Sequence, residues 1–185
     1  MFNINILAIS GSPRRESSAS TLLRTIATFA PENVQFTFYN RLIDLPHFSP
    51  ELDTDSPPPA VVEIRSLIRN ADGIIICTPE YAFSMPSVLK NLLEWDVSSA
   101  DLYKKPTIAL SLSPNFGGGA KALDSLLIVL GAIGARIPEG GTLSVSNIRK
   151  RMTEDGEIID PELTRQLKAV VGKLLAEIEA SQREN

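Results

Sequence analysis

Short apolar runs alternate along the chain with stretches whose apolar residues recur every three or four positions. The run Ile4-Asn5-Ile6-Leu7-Ala8-Ile9 predicts a strand over 4–9, and helical spacing follows over 17–30. Val34-Gln35-Phe36-Thr37-Phe38-Tyr39 alternates with period two, as a strand near a sheet edge does. Residues 41–59 are acidic and proline-rich and predict a long loop on one face of the domain. Val61, Ile64, Leu67 and Ile68 then share one face of a helix over 61–69. Gly73-Ile74-Ile75-Ile76-Cys77-Thr78 is apolar almost throughout, the mark of a central strand covered on both faces. A helix over 86–95 opens on Pro86, where the missing N–H costs little. A fourth strand over 107–112, a helix over 120–130, a fifth strand within 135–145 and an amphipathic helix over 161–180 complete the pattern.

Five strands alternating with five helices define an α/β fold with a parallel sheet, in one domain spanning 1–185. Right-handed crossovers put helices on both faces of that sheet. A closed barrel of eight such units needs about 250 residues. With 185 available, an open sheet remains. Ligands of open sheets bind beyond the carboxyl ends of the strands, where the strand order reverses. The loops after the first, third and fourth strands therefore matter most.

Composition narrows the chemistry. The chain is 43% hydrophobic and 22% charged, as ordinary globular proteins are. Its net charge of −4 argues against nucleic acid as the main partner. No apolar run reaches the roughly 18–20 residues that span a bilayer, and no basic stretch precedes the first run, so neither membrane span nor signal peptide is expected. The lone Cys77 excludes an internal disulfide and fits a reducing cytoplasm. Arg149-Lys150-Arg151 reads as a solvated basic face.

The loop after the first strand places Ser10, Gly11, Ser12, Arg14, Ser17, Ser18 and Ser20 just before a helix. Hydroxyls, a guanidinium and unpaired helix N–H groups together suit a phosphate monoester, and Gly11 allows backbone to approach it. The pattern is neither a Walker loop nor a G-x-G-x-x-G turn. The loop after the third strand, Thr78-Pro79-Glu80-Tyr81-Ala82-Phe83-Ser84-Met85-Pro86, is a stiff apolar wall suited to a flat ring. The loop after the fourth, with Ser113 and Gly117-Gly118-Gly119, permits another close backbone approach. Glu80 has no accompanying His or second carboxylate, so no catalytic residue is assigned. One Cys and one His supply no metal cluster. His47 reads as a loop residue and Cys77 as a small buried hydrophobe. A phosphate cradle and a ring slot without an acid–base set point to a bound redox cofactor that brings its own chemistry.

These loops carry a resemblance to the NAD(P)H-dependent FMN reductases of the flavodoxin-like class, which include quinone, chromate and azo-compound reductases. The family motif G-S-x-R-x-x-S-x-N is matched by Gly11-Ser12-Pro13-Arg14-Arg15-Glu16-Ser17-Ser18-Ala19. The longer P-E-Y-N-x-x-x-P-x-x-L-K-N-x-x-[DE]-W is matched from Pro79 through Pro86, Leu89, Lys90 and Asn91 to Glu94 and Trp95. Residues 113–118, 130–132 and 154–160 also resemble the family.

The resemblance implies a three-layer sandwich with strand order 2-1-3-4-5. It implies FMN as cofactor, NADPH or NADH as hydride donor, and a small acceptor such as a quinone. Ser12, Arg14, Ser17 and their neighbours would hold the phosphate. Pro79, Glu80, Tyr81, Ala82, Phe83 and Ser84 would line the isoalloxazine, with Ser113 to Gly117 opposite. A homodimer or homotetramer is implied, with the partner subunit helping to close the site.

Two positions depart from the family: Ala19 and Ala82 stand where Asn is usual. Each loss removes a hydrogen bond worth about 0.5–1.5 kcal/mol net, so a weaker hold on FMN, or FMN as an exchangeable substrate, is expected. Two other readings stand beside the enzyme. One is a flavodoxin-like electron carrier, although such carriers tend to be strongly acidic with a Thr/Gly-rich phosphate loop. The other is a non-catalytic binding module with a degraded flavin site.

Overall fold

A computed structural model describes residues 3–184, so the expected span of 1–185 runs past the described residues at both ends. The strands are β1 (Ile4–Ser10), β2 (Val34–Tyr39), β3 (Gly73–Pro79), β4 (Thr107–Leu112) and β5 (Thr142–Val145). They pair in the order β2-β1-β3-β4-β5, and every pairing is parallel. This is the order that the resemblance implies. It reverses between β1 and β3, and the register aligns Ser10 with Cys77, Thr78 with Ser111 and Leu112 with Val145. The carboxyl ends of these four strands therefore open onto one edge.

The helices are α1 (Ser18–Ala27), α2 (Pro59–Asn70), α3 (Ser87–Ser99), α4 (Ala120–Ala132), the single turn α5 (Ile148–Arg151) and α6 (Pro161–Glu184). Alternation along the central strands divides the core in two. Ile4, Ile6 and Ala8 of β1 pack with Ile75 and Cys77 of β3 against α1 and α6. Leu7 and Ile9 pack with Ile74 and Ile76 against α2, α3 and α4. The edge position of β2 is borne out, since only Tyr39 of that strand is fully buried.

Element limits differ from expectation where local cues fail. Helix α1 stops at Ala27 because Pro31 lies ahead and Thr28, Phe29 and Ala30 turn with bonds to residues three back. Helix α3 runs one turn longer than expected and ends on Ala100, at φ 52°, a position where no glycine marks the stop. The loop over 41–59 contains one 3-10 turn, Leu42–Asp44, and is tied down at Pro46. The Pro46 carbonyl accepts from Asn91 Nδ2 and Trp95 Nε1, each at 2.9 Å. Phe48 N–H donates to Asn91 Oδ1 at 2.8 Å, and the Phe48 ring meets Trp95 edge-on. Asn91 and Trp95 of the long family motif thus fasten a loop to α3.

Candidate functional site

The loop leaving β1 is organised by its serines. Ser17 is the N-cap of α1, and it exchanges capping bonds with Ser20: Ser20 N–H donates to Ser17 Oγ at 3.2 Å, and Ser17 N–H to Ser20 Oγ at 2.8 Å. Ser10 Oγ lies 3.5 Å from Ser17 Oγ. Ser10, Ser17 and Ser20 therefore satisfy one another, and the serine density expected to serve a ligand is in large part a helix start. Ser12 and Ser18 retain hydroxyl hydrogens to donate; Ser12 Oγ accepts from Arg14 N–H at 3.2 Å. The N–H groups of Ser18 and Ala19, in the first turn of α1, have no partner among the described residues. Such groups, at the positive end of the helix, favour an anion.

Gly11 corrects the sequence reading. A Cβ there would lie 2.8 Å from Leu89 Cδ2 and 3.0 Å from Thr78 Oγ1, so its missing side chain makes room for α3 and β3 and not for a ligand. Its N–H donates to the Cys77 carbonyl at 2.8 Å and carries the sheet ladder one residue beyond β1.

Ser12, Arg14, Ser17, Ser18 and Ala19 border a cavity of about 270 Å³. Pro79, Glu80 and Tyr81 form a second wall, and Leu112, Ser113, Pro114 and Asn115 a third. Ile148 and Arg149 close it. A neighbouring cavity of about 660 Å³ shares Arg14, Ser17, Ser18, Ile148 and Arg149, so the two adjoin in a cleft beside the start of α1. Ser10, Gly11, Ser20, Ala82, Phe83, Ser84 and Gly117, expected at the site from sequence, do not line either cavity.

The third-strand loop folds back on itself. Tyr81 and Ser84 exchange both backbone hydrogen bonds, at 2.9 and 3.0 Å, across a two-residue turn whose centre is Ala82 at φ 50° and Phe83 at φ 60°. Two successive left-handed residues are what a type I′ turn demands, and Asn or Gly adopts them at least cost. The usual family Asn at position 82 thus suits the turn's backbone, and Ala82 bears the strain. Ser84 Oγ bonds Ser125 Oγ at 2.9 Å, away from the cavity.

Glu80 is not free for proton transfer. Its Oε2 accepts from Lys121 N–H at 3.0 Å and Ala122 N–H at 3.3 Å, capping α4 in place of Gly119, which has no side chain to do so. The fourth-strand loop is stitched to the turn after β5 through Asn147 N–H to Asn115 O and Ile148 N–H to Ser113 O, both 3.1 Å. These bonds bring Ile148 and Arg149 to the cavity, far along the chain from Arg14. Arg149 and Lys150 are exposed, as a solvated basic face is, and Arg149 also borders the cavity. Of that basic cluster, Arg151 instead pairs with Asp160 at 2.6 Å. Cys77 is fully buried, and burial pushes its thiol up to about 12, so it is no nucleophile.

The arrangement pairs an anion cradle with a narrow slot walled by Pro79–Tyr81 and Ser113–Asn115, and contains no acid–base pair. The sequence profile of the NADPH-dependent FMN reductases matches residues 4–150. The chain belongs to this family. Family membership agrees with its relatives. A quinone reductase of Escherichia coli strain K12 is 32% identical over 178 residues, covering 90% of this chain and 93% of that protein. An NADPH:quinone oxidoreductase of Arabidopsis thaliana is 31% identical, covering 94% and 91%. The flavoenzyme NAD(P)H:(acceptor) oxidoreductase FerB from Paracoccus denitrificans superposes with a TM-score of 0.85 over 96% of this chain and 98% of that one, at 24% identity, and shares the flavodoxin-like fold. The residues present fit the family's cofactor: two unpartnered N–H groups and a guanidinium face the phosphate end, and a slot suited to a planar ring adjoins them.

Proposed function

We propose that this FMN reductase carries hydride from NADPH or NADH through FMN to a small acceptor such as a quinone. The observation that carries the reading is the meeting, at one sheet edge, of the Ser12–Ala19 anion cradle with the slot between Pro79–Tyr81 and Ser113–Asn115. Ser12, Arg14, Ser18 and the N–H groups of Ser18 and Ala19 hold the FMN phosphate, while Ser17 shapes the helix start beneath it. Pro79, Glu80 and Tyr81 present backbone and ring surface to one side of the isoalloxazine, and Ser113, Pro114 and Asn115 to the other. FMN held there would supply the hydride-accepting and electron-donating chemistry, leaving these residues to bind and orient it. The net reaction consumes one further proton from water to leave a hydroquinone. No side chain is asked to be acid or base, in keeping with the engagement of Glu80 at α4.

The whole chain acts as a single FMN-binding domain in the cytoplasm, consistent with its one buried, unpaired cysteine. Among the described residues no helix is long and apolar enough to cross a membrane. The working form is a homodimer or homotetramer, supported by the exposed aromatic residues Tyr81, Phe83 and Phe116 on the loops beside the cavity. Light scattering of the purified protein measures that state.

The test of the enzyme is an anaerobic titration. Protein reconstituted with FMN is expected to lose its yellow colour when NADPH or NADH is added, and to recover it with a quinone. Protein that binds no FMN, or holds FMN that neither nucleotide reduces, sinks the proposal.

A further inference from the structure

Most arginines of this surface are neutralised. Arg15 faces Asp44, Arg24 faces Glu16, Arg65 faces Asp53 and Arg151 faces Asp160. Arg14 and Arg149 border both cavities of the cleft, and among the described residues neither has an ion-pair or hydrogen-bond partner for its guanidinium. Two arginines without ion-pair partners on the border of one cleft mark a place where a doubly charged anion is expected.

The donor inventory says which anion. Ser10, Ser17 and Ser20 bond one another, and position 19 is an alanine whose side chain is buried with the apolar core. What remains on the β1 side is the pair of hydroxyls at Ser12 and Ser18, two helix N–H groups and a single cation, Arg14. A phosphate monoester carries close to two negative charges at neutral pH. Arg149 brings the second positive charge from a turn whose backbone is pinned: Asn147, Ile148, Lys150 and Met152 all donate their N–H groups, at 2.8 to 3.1 Å. A guanidinium on such a turn reaches the cleft with little backbone entropy to lose.

We propose that Arg149 is a phosphate-binding residue of this site, closing on the FMN phosphate from the β5 side as Arg14 does from the β1 side. Together they supply the polar contact that Ala19 cannot. The proposal rests on the FMN reading above.

The experiment compares FMN with riboflavin, which keeps the ring and lacks the phosphate, by quenching of flavin fluorescence on the full chain freed of flavin. Arg149→Ala is expected to weaken FMN about tenfold, the factor that corresponds to one charge-assisted contact, and to leave riboflavin within twofold of the wild type. Arg149→Lys, which keeps the charge, restores at least half of the lost binding energy. The slope of FMN affinity against salt falls in Arg149→Ala.

Three results overturn the proposal: unchanged FMN affinity in Arg149→Ala, equal losses for FMN and riboflavin, or a rise in KM for NADPH alone with FMN affinity intact. The last assigns Arg149 to the nicotinamide nucleotide. Wild-type protein that binds neither flavin removes the FMN reading itself, and this inference with it. Wild-type binding with an unmoved variant removes only the inference.

Discussion

At the scale of single residues, Ala82 gives the sharpest test of how the ring-side wall is built. It occupies the left-handed region at φ 50° in a turn that the flanking Tyr81–Ser84 bonds hold closed. Ala82→Gly is expected to raise stability by about 1 kcal/mol, the cost of a non-glycine residue in that conformation, or about 2–4 °C in Tm for a chain of this size. Calorimetry checks it; a fall in Tm means that the turn is relaxed. The sequence showed that Asn was missing here but not what that Asn is for, because φ is not written in a motif. The same limit explains the serines. Ser12 and Ser18 line the cavity, whereas Ser10, Ser17 and Ser20 look identical in composition and bond one another.

At the scale of elements, the site depends on contacts between segments far apart in the chain. Glu80 leaves β3 and caps α4 forty residues on, tying two walls of the cavity together. Glu80→Ala removes this cap and is expected to cost about 1 kcal/mol, read as a drop in the urea midpoint with unchanged slope. Asn91 is a stronger case. It is buried and makes two bonds that hold Pro46 and Phe48 on α3. Asn91→Ala is expected to destabilise by about 2 kcal/mol, since the Phe48 N–H loses its acceptor and the Pro46 carbonyl keeps only Trp95 Nε1. Faster proteolysis within residues 41–59 is the local readout.

The strands and most helices were legible from period alone, because β1, β3 and β4 are buried on both faces and say so in their side chains. The turn α5 and the place of Arg149 at the cavity border were not. Their meaning comes from backbone bonds to Ser113 and Asn115, which no local pattern announces. The motif Leu89-Lys90-Asn91…Trp95, which made the family recognisable, encodes how α3 holds a loop more than how a ligand is bound.

At the scale of the whole molecule, stability against pH follows from one buried carboxylate. Asp96 is 1% exposed, Oδ1 has no hydrogen-bond partner, and Oδ2 accepts a 3.3 Å bond from Leu102 N–H. Burial pushes its carboxyl up to about 6 from 3.8. Between those values the folded chain holds more protons than the unfolded one, so stability falls as pH rises through this window and the cost is fully present at pH 7. That cost is roughly 2–3 kcal/mol. Asp96→Asn is expected to be more stable than the wild type at pH 7 and to lose the advantage by pH 4, measured by urea unfolding at both. An advantage independent of pH contradicts the assignment.

The close fit of Gly11 against Leu89 has a consequence for the engineering of this fold. The loop after β1 and α3 touch here with less room than a methyl group needs. Any side chain at position 11 must push Leu89 aside, so a graft that replaces this glycine disturbs α3 together with the loop. Transplants that keep Gly11 and Leu89, as the family motifs do, leave the contact whole.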